Sequence, residues 1–217
     1  MITRRELLRT GSALTVIAAL SGAGLLIANA PVAAQGVPLA DLLVPPQLGD
    51  MVLGNNDAPV TIVEYASMTC PHCAQFHEQT YPELKKRYID TGKVRFIFRE
   101  FPLDPVAAGA SMLARCAGKE KFFPLIEILF QRQRQWSVEK PIPPLLAIAK
   151  QAGFTEKTFD ACLSDQKMLN AMQAEQKRAV DKFGVNSTPT LFVNGKTVRG
   201  GTTIEKLAEM IDPLLKS

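Results

Sequence analysis

Thr61-Ile62-Val63-Glu64-Tyr65, followed by Ser67-Met68-Thr69-Cys70-Pro71-His72-Cys73, is the stretch that decides the fold. The first five residues come after the turn signal Asn55-Asn56-Asp57-Ala58-Pro59 and are rich in β-branched and aromatic side chains, which predicts a strand. Thr69 is a good N-cap and Pro71 suits the first turn of a helix, so a helix is expected to start at the cysteine pair. It carries Phe76, Thr80, Leu84 and Tyr88 at helical spacing, with a kink expected at Pro82 and an end at Gly92. Lys93 to Phe101 then alternates as a strand, with Val94, Phe96 and Phe98 on one face. The order is strand, helix, strand, with a Cys-x-x-Cys at the first strand-to-helix junction.

Outward from that unit, residues 105–184 read as helices over 105–117, 119–135, 143–152, 156–163 and 166–183. Gly118, Pro141 to Pro144 and Gly153 punctuate them, and Gly184 is a C-cap for the last. Thr190-Leu191-Phe192-Val193 is a strand, Asn194-Gly195 a hairpin turn, and Lys196 to Arg199 pairs back. Gly200-Gly201 breaks the chain, and Thr202-x-x-Glu205 is a capping box for a final helix.

The composition is that of an ordinary globular protein. In 217 residues, 47% are hydrophobic and 21% charged, which excludes a disordered chain, a collagen-like repeat and a bundle of membrane spans. Residues 1–34 have the pattern of a secretory signal peptide: Arg4, Arg5 and Arg9 precede an apolar run from Ala13 to Ala30, and cleavage is expected after Ala34, in Val32-Ala33-Ala34. An uncleaved membrane anchor is the alternative, although the run is short and soft for a span. Thr3-Arg4-Arg5-Glu6-Leu7-Leu8-Arg9 also resembles a twin-arginine export motif. Removing this segment takes the net charge from +4 to about +2, and no basic run with interleaved aromatics remains, so no nucleic-acid partner is expected. Residues 35–50, with Pro38, Pro45 and Pro46, read as an extended N-terminal leader.

Four cysteines, Cys70, Cys73, Cys116 and Cys162, all follow that segment. An even count in an exported chain favours disulfides. Cys116 and Cys162 read as a structural disulfide worth roughly 4 kcal/mol on the chain-entropy model, with two buried free thiols as the alternative. Cys70 and Cys73 are too close to staple anything, so their pairing serves chemistry. The thiolate, not the thiol, attacks a disulfide, and a helix N-terminus offers it unpaired N–H groups and the positive end of the dipole. Cys73 lies one turn further in, on the same face. His72, between them, adds a positive charge when protonated and can donate a hydrogen bond when neutral. Stabilising the thiolate stabilises the reduced form and makes the disulfide a stronger oxidant. Metal binding by Cys70, Cys73 and His77 is the competing reading, but Cys116 and Cys162 do not supply the second half of a structural zinc site, and no metal is expected. His77 otherwise reads as a helix-face residue near the site.

Cys70-Pro71-His72-Cys73 followed by Phe76-His77 resembles the thioredoxin-fold thiol:disulfide oxidoreductases of the DsbA type, over about residues 50–217. The resemblance implies an α/β thioredoxin fold with a mixed sheet. Residues 51–104 and 185–217 form its domain, and 105–184 form an inserted all-helical domain. It implies that Pro189 is cis and, with Thr188, faces the cysteine pair and meets the substrate. It also implies an acidic residue at Glu64 as a proton relay for Cys73; an edge-exposed glutamate is the alternative. Thr188 departs from the β-branched apolar residue of the best-known oxidases and matches several isomerases, while no stretch is left over for the dimerisation domain such isomerases carry. The implied activity is periplasmic oxidation of reduced exported proteins by a monomer. It needs no cofactor beyond the Cys70–Cys73 disulfide and relies on a DsbB-like membrane protein to reoxidise it. A disulfide isomerase or reductase, or a non-catalytic chaperone-like or metal-binding module, are the alternatives.

Overall fold

Strand Val60–Ala66 is buried along its whole length and lies at the centre of the sheet. The computed structural model that contains it describes residues 36–216; the expected export segment, residues 1–34, lies outside the described residues. In chain order the elements are α1 (Leu39–Leu42), β1 (Met51–Leu53), β2 (Val60–Ala66), α2 (Pro71–Gln79), α3 (Tyr81–Leu84), a π-helical turn (Lys85–Ile89) and β3 (Val94–Glu100). Helices α4 (Pro105–Cys116), α5 (Lys119–Gln131), α6 (Gln133–Trp136), α7 (Ile142–Gln151), α8 (Glu156–Leu163) and α9 (Gln166–Phe183) follow. Strands β4 (Thr190–Val193) and β5 (Lys196–Arg199), helix α10 (Ile204–Ile211) and a 3-10 turn (Asp212–Leu215) close the chain.

The sheet order is β1-β3-β2-β4-β5. β3 runs parallel to β2 and the other pairings are antiparallel, so the sheet is mixed. Alternation along β2 sorts its side chains into two cores. Val60, Ile62 and Ala66 join Phe96 and Phe98 of β3 under α2, α3, α5 and α10; Val63 and Tyr65 join Ile97 and Phe192 on the opposite face, closed by Leu42, Ala179 and Phe183. α9 therefore returns from the other helices to cover that second face. It is fixed there by the hydrogen bond from the Tyr65 hydroxyl to Glu175 (2.8 Å), and Arg99 of β3 donates in turn to that hydroxyl (2.8 Å) and to Asp50 (2.8 Å). This is the thioredoxin-like arrangement, with the helical segment between β3 and β4.

Two expectations about these elements need correction, the N-terminal leader and the cap of the last helix. Residues 36–50 are not an extended leader: they contain α1, whose Leu42 is fully buried, and the Val37 amide donates to the Gly195 carbonyl at 2.9 Å. The apolar residues between the prolines give the segment a face to bury, which outweighs the extended bias of Pro38, Pro45 and Pro46. The kink expected at Pro82 is present: α2 stops at Gln79, Thr80 keeps helical backbone between the two segments, and the helix resumes with Pro82 in its first turn before passing into the π-helical turn. A proline there has no N–H for the carbonyl one turn back, and its ring crowds that carbonyl. The last helix is capped by Thr203 rather than Thr202. Thr202 is buried and its carbonyl is held by the Thr80 hydroxyl at 2.7 Å, which leaves the next threonine at the helix mouth.

Candidate active site

β2 ends at Ala66, and the chain turns through Ser67-Met68-Thr69 into α2, with Cys70 itself as the N-cap residue and Pro71 in the first turn. Thr69 does not cap; its hydroxyl donates to Asp104 at the start of α4. Pro71 suits this position because the first helical N–H groups have no intrahelical acceptor, and the following amides remain free to face the sulfur. Cys70 and Cys73 are free thiols; Cys70 is 6% exposed and Cys73 fully buried. The Cys70 thiol donates to the Thr188 carbonyl at 3.3 Å, and the Thr188–Pro189 bond is cis. The three residues 70, 188 and 189 are thus brought to one point from two distant stretches of chain.

The two sulfurs are driven in opposite directions. The Cys73 thiol, donating to the Cys70 sulfur, is the largest cause that lowers the Cys70 pKa to about 5, against the opposing cost of burial. Thr188 and the backbone amides of Cys73 and His72 add to the same effect. The Thr188 hydroxyl is buried without a hydrogen-bond partner among the described residues, so it can turn its proton toward the anion once the thiol no longer donates to the carbonyl. Burial pushes the Cys73 thiol well up, reinforced by its bond to the Cys70 sulfur and by the negative charge of Glu64. One sulfur is an anion near neutral pH and the other holds its proton. Residue 72 acts on Cys70 through its backbone N–H; the His72 and Pro71 side chains are exposed beside it.

Glu64 is not at an edge. Its strand is central, and its carboxylate is fully buried on the Ile62 face, where Oε2 lies 3.0 Å from Nε2 of His77. His77 lies on the face of α2 near the site, as expected, and that face is buried. It is 6% exposed, stacked on Phe130 with ring centroids 4.3 Å apart, and its Nε2 is engaged with Glu64 rather than presented to the cysteines as a third ligand. The signal for this was in the sequence: Cys73 and His77 are four residues apart and share a helix face. Among the described residues no group of three or more His, Cys, Asp and Glu is placed to hold a metal. Cys116 and Cys162 are bonded to each other, joining the end of α4 to α8. Gln133, which no sequence pattern singles out, reaches the Met68 and Cys70 carbonyls with its side-chain amide.

With this geometry in place, comparison with known proteins is specific. The thioredoxin family model, described as "Thioredoxin", matches residues 47–213. A Rickettsia bellii protein provisionally named a protein-disulfide oxidoreductase is 41% identical over 148 residues, covering 67% of this chain and 57% of that protein. Disulfide bond formation protein D of Bacillus subtilis is 32% identical over 179 residues, covering 77% of this chain and 78% of that protein. The crystal structure of Wolbachia pipientis α-DsbA1 superposes with a TM-score of 0.75 at 30% identity, covering 81% of this chain and 96% of that one. The chain spans only 57–62% of the length of its Rickettsia relatives.

Proposed function

The chain belongs to the thioredoxin family, in its DsbA-type branch, and from that premise we propose that it is a thiol:disulfide oxidoreductase that donates its Cys70–Cys73 disulfide to reduced polypeptides. The observation that carries this reading is the geometry at Cys70, an N-cap residue whose thiol meets the Thr188 carbonyl at 3.3 Å beside the cis Thr188–Pro189 bond, with Cys73 buried one turn further in; that setting lowers Cys70 to about 5 and raises Cys73. A disulfide whose attacked sulfur prefers to be an anion is easily opened, because the thiolate is a good leaving group and the reduced state is stabilised.

The step balances as follows. A substrate thiolate attacks Sγ of Cys70; the Cys70–Cys73 bond breaks and a mixed disulfide forms at Cys70. Cys73 leaves as a thiolate and takes up a proton, for which Glu64, charge-coupled to it and bonded to His77, is the relay. A second substrate thiolate attacks the substrate sulfur of the mixed disulfide, and Cys70 leaves as the stabilised thiolate. Two electrons pass from the substrate to the cysteine pair. The Thr188 backbone beside Cys70 is placed to hydrogen-bond an extended substrate strand. A cleft of about 640 Å³ runs along α2, lined by Pro71, His72, Gln75 and Gln79 with Phe130, Arg132 and Arg134 opposite; its mixed polar and apolar lining is in keeping with varied polypeptide clients.

The chain works in the periplasm as a monomer after export, and a DsbB-like membrane protein reoxidises its cysteine pair. Among the described residues no helix is long and apolar enough to cross a membrane. The test is oxidation of a reduced dithiol peptide by the full chain and by Cys70→Ala, together with the reduction potential of the pair. Loss of oxidation in the variant and a potential well above that of thioredoxin, about −270 mV, are expected. Unchanged oxidation by Cys70→Ala would overturn catalysis at this site; a thioredoxin-like potential would replace the oxidase by a reductase or isomerase.

A further inference from the structure

Gln133 is the first residue of α6, far from the cysteine pair in sequence, and it is 7% exposed. Its Nε2 donates to the Met68 carbonyl at 2.8 Å and to the Cys70 carbonyl at 3.0 Å. A primary amide nitrogen has two hydrogens, and here both are used, on carbonyls that flank Thr69 on either side. The Cys70 carbonyl also accepts the Ala74 amide at 3.1 Å, the first hydrogen bond of α2. One side chain therefore holds the last turn of chain before the helix and the carbonyl on which the helix starts.

This clamp is chemically demanding. Asparagine is a methylene shorter, glutamate has acceptors where donors are required, and methionine has the length without the donors. The φ of −76° and ψ of 120° at Cys70 set the direction of its side chain relative to the helix mouth. The amides that reach the sulfur belong to residues 72 and 73, so their aim depends on the same peptide planes. We propose that Gln133 is a positioning residue of the active site: by fixing the Met68 and Cys70 carbonyls it holds the turn in which Sγ of Cys70 faces the first amides of α2. In this way the helices between β3 and β4 contribute to the reactive sulfur without touching it. The inference rests on Cys70 being the reactive sulfur, as proposed above.

A purely structural role, in which Gln133 only satisfies two buried carbonyls, would change stability and leave the sulfur's titration alone. The discriminating experiment compares the pH dependence of Cys70 alkylation by iodoacetamide in the reduced full chain, in Gln133→Met and in Gln133→Asn, alongside urea unfolding. The methionine variant keeps length and neutrality but no donor; the asparagine variant keeps a neutral amide one methylene too short to reach both carbonyls. The expected result is an alkylation midpoint raised by about one pH unit in Gln133→Met, which lowers the thiolate fraction near pH 5 roughly fivefold, and an intermediate midpoint in Gln133→Asn. A folded methionine variant that is less stable but titrates with the unaltered protein would overturn the proposal and leave the proposed function standing. An ordinary cysteine midpoint in the unaltered chain would overturn both. Should the methionine variant fail to fold, the asparagine variant decides alone: a raised midpoint supports positioning, and an unchanged one overturns it.

Discussion

Glu64 Oε2 and His77 Nε2 lie 3.0 Å apart in the core beneath the cysteine pair, and both side chains are shut away from solvent. The pair joins the central strand to the active-site helix, with His77 packed between Phe130 and Tyr81. Titratable neighbours are few: Cys73 on the same helix feels the Glu64 charge, and so does Tyr81, whose hydroxyl burial pushes well up. Removing one partner strands the other in a medium that solvates charge badly. His77→Leu is expected to cost about 3 kcal/mol in urea unfolding, and Glu64→Leu combined with His77→Leu less than His77→Leu alone. A double variant less stable than the single would show that the pair does not act as a unit.

A second buried pair holds α4 to the sheet. Arg115 donates to Glu100 through Nε at 2.6 Å and through a terminal nitrogen at 2.8 Å, and its other terminal nitrogen holds the Leu48 and Gly49 carbonyls at 2.9 and 3.0 Å. Arg115→Met leaves Glu100 and both carbonyls without these donors, and a loss of about 4 kcal/mol by urea unfolding is expected. The alkylation rate of Cys70 in the folded variant should be unchanged, since none of these groups touches the cysteine pair.

The Cys116–Cys162 bond closes a loop of 46 residues that contains α5, α6 and α7. On the chain-entropy model, Cys116→Ala with Cys162→Ala should lower stability by about 4 kcal/mol. Peptide oxidation by the folded double variant should persist, because the bond lies away from the turn at Cys70. Loss of oxidation in a folded double variant would mean that this bond takes part in the chemistry.

The lowered Cys70 pKa also ties stability to redox state and pH. In the unfolded reduced chain Cys70 titrates in the ordinary cysteine range, whereas in the fold it titrates at about 5. A depressed pKa contributes stability that is complete above the unfolded value and is lost as pH falls through the folded one. The reduced protein should therefore lose stability relative to the oxidised protein between about pH 9 and pH 5, and thermal unfolding of both forms across that window checks it. A gap between the two forms that does not vary with pH would contradict the assignment.

Much of this was legible from local signals. The strand carrying Glu64, the helix opening at the cysteines and the Asn194-Gly195 hairpin each rest on chemistry within a few residues, and each is where the pattern places it. What was misread depends on long-range packing. Thr202 looks like a cap until Thr80, 122 residues away, takes its carbonyl. The leader looks extended until Leu42 finds the face of the sheet formed by Val63 and Tyr65. His77 sits on the helix face near the site as read, but its Glu64 partner comes from β2, and Gln133 carries no local mark at all, because its partners are two backbone carbonyls with no side-chain signature.

The thiolate of Cys70 can be titrated directly, by following its ultraviolet absorbance or its alkylation rate in the reduced protein as a function of pH. The account predicts a midpoint close to 5, absent in Cys70→Ala, with Cys73 silent through the neutral range. A single midpoint in the ordinary range of cysteine, near 8.5, would contradict it.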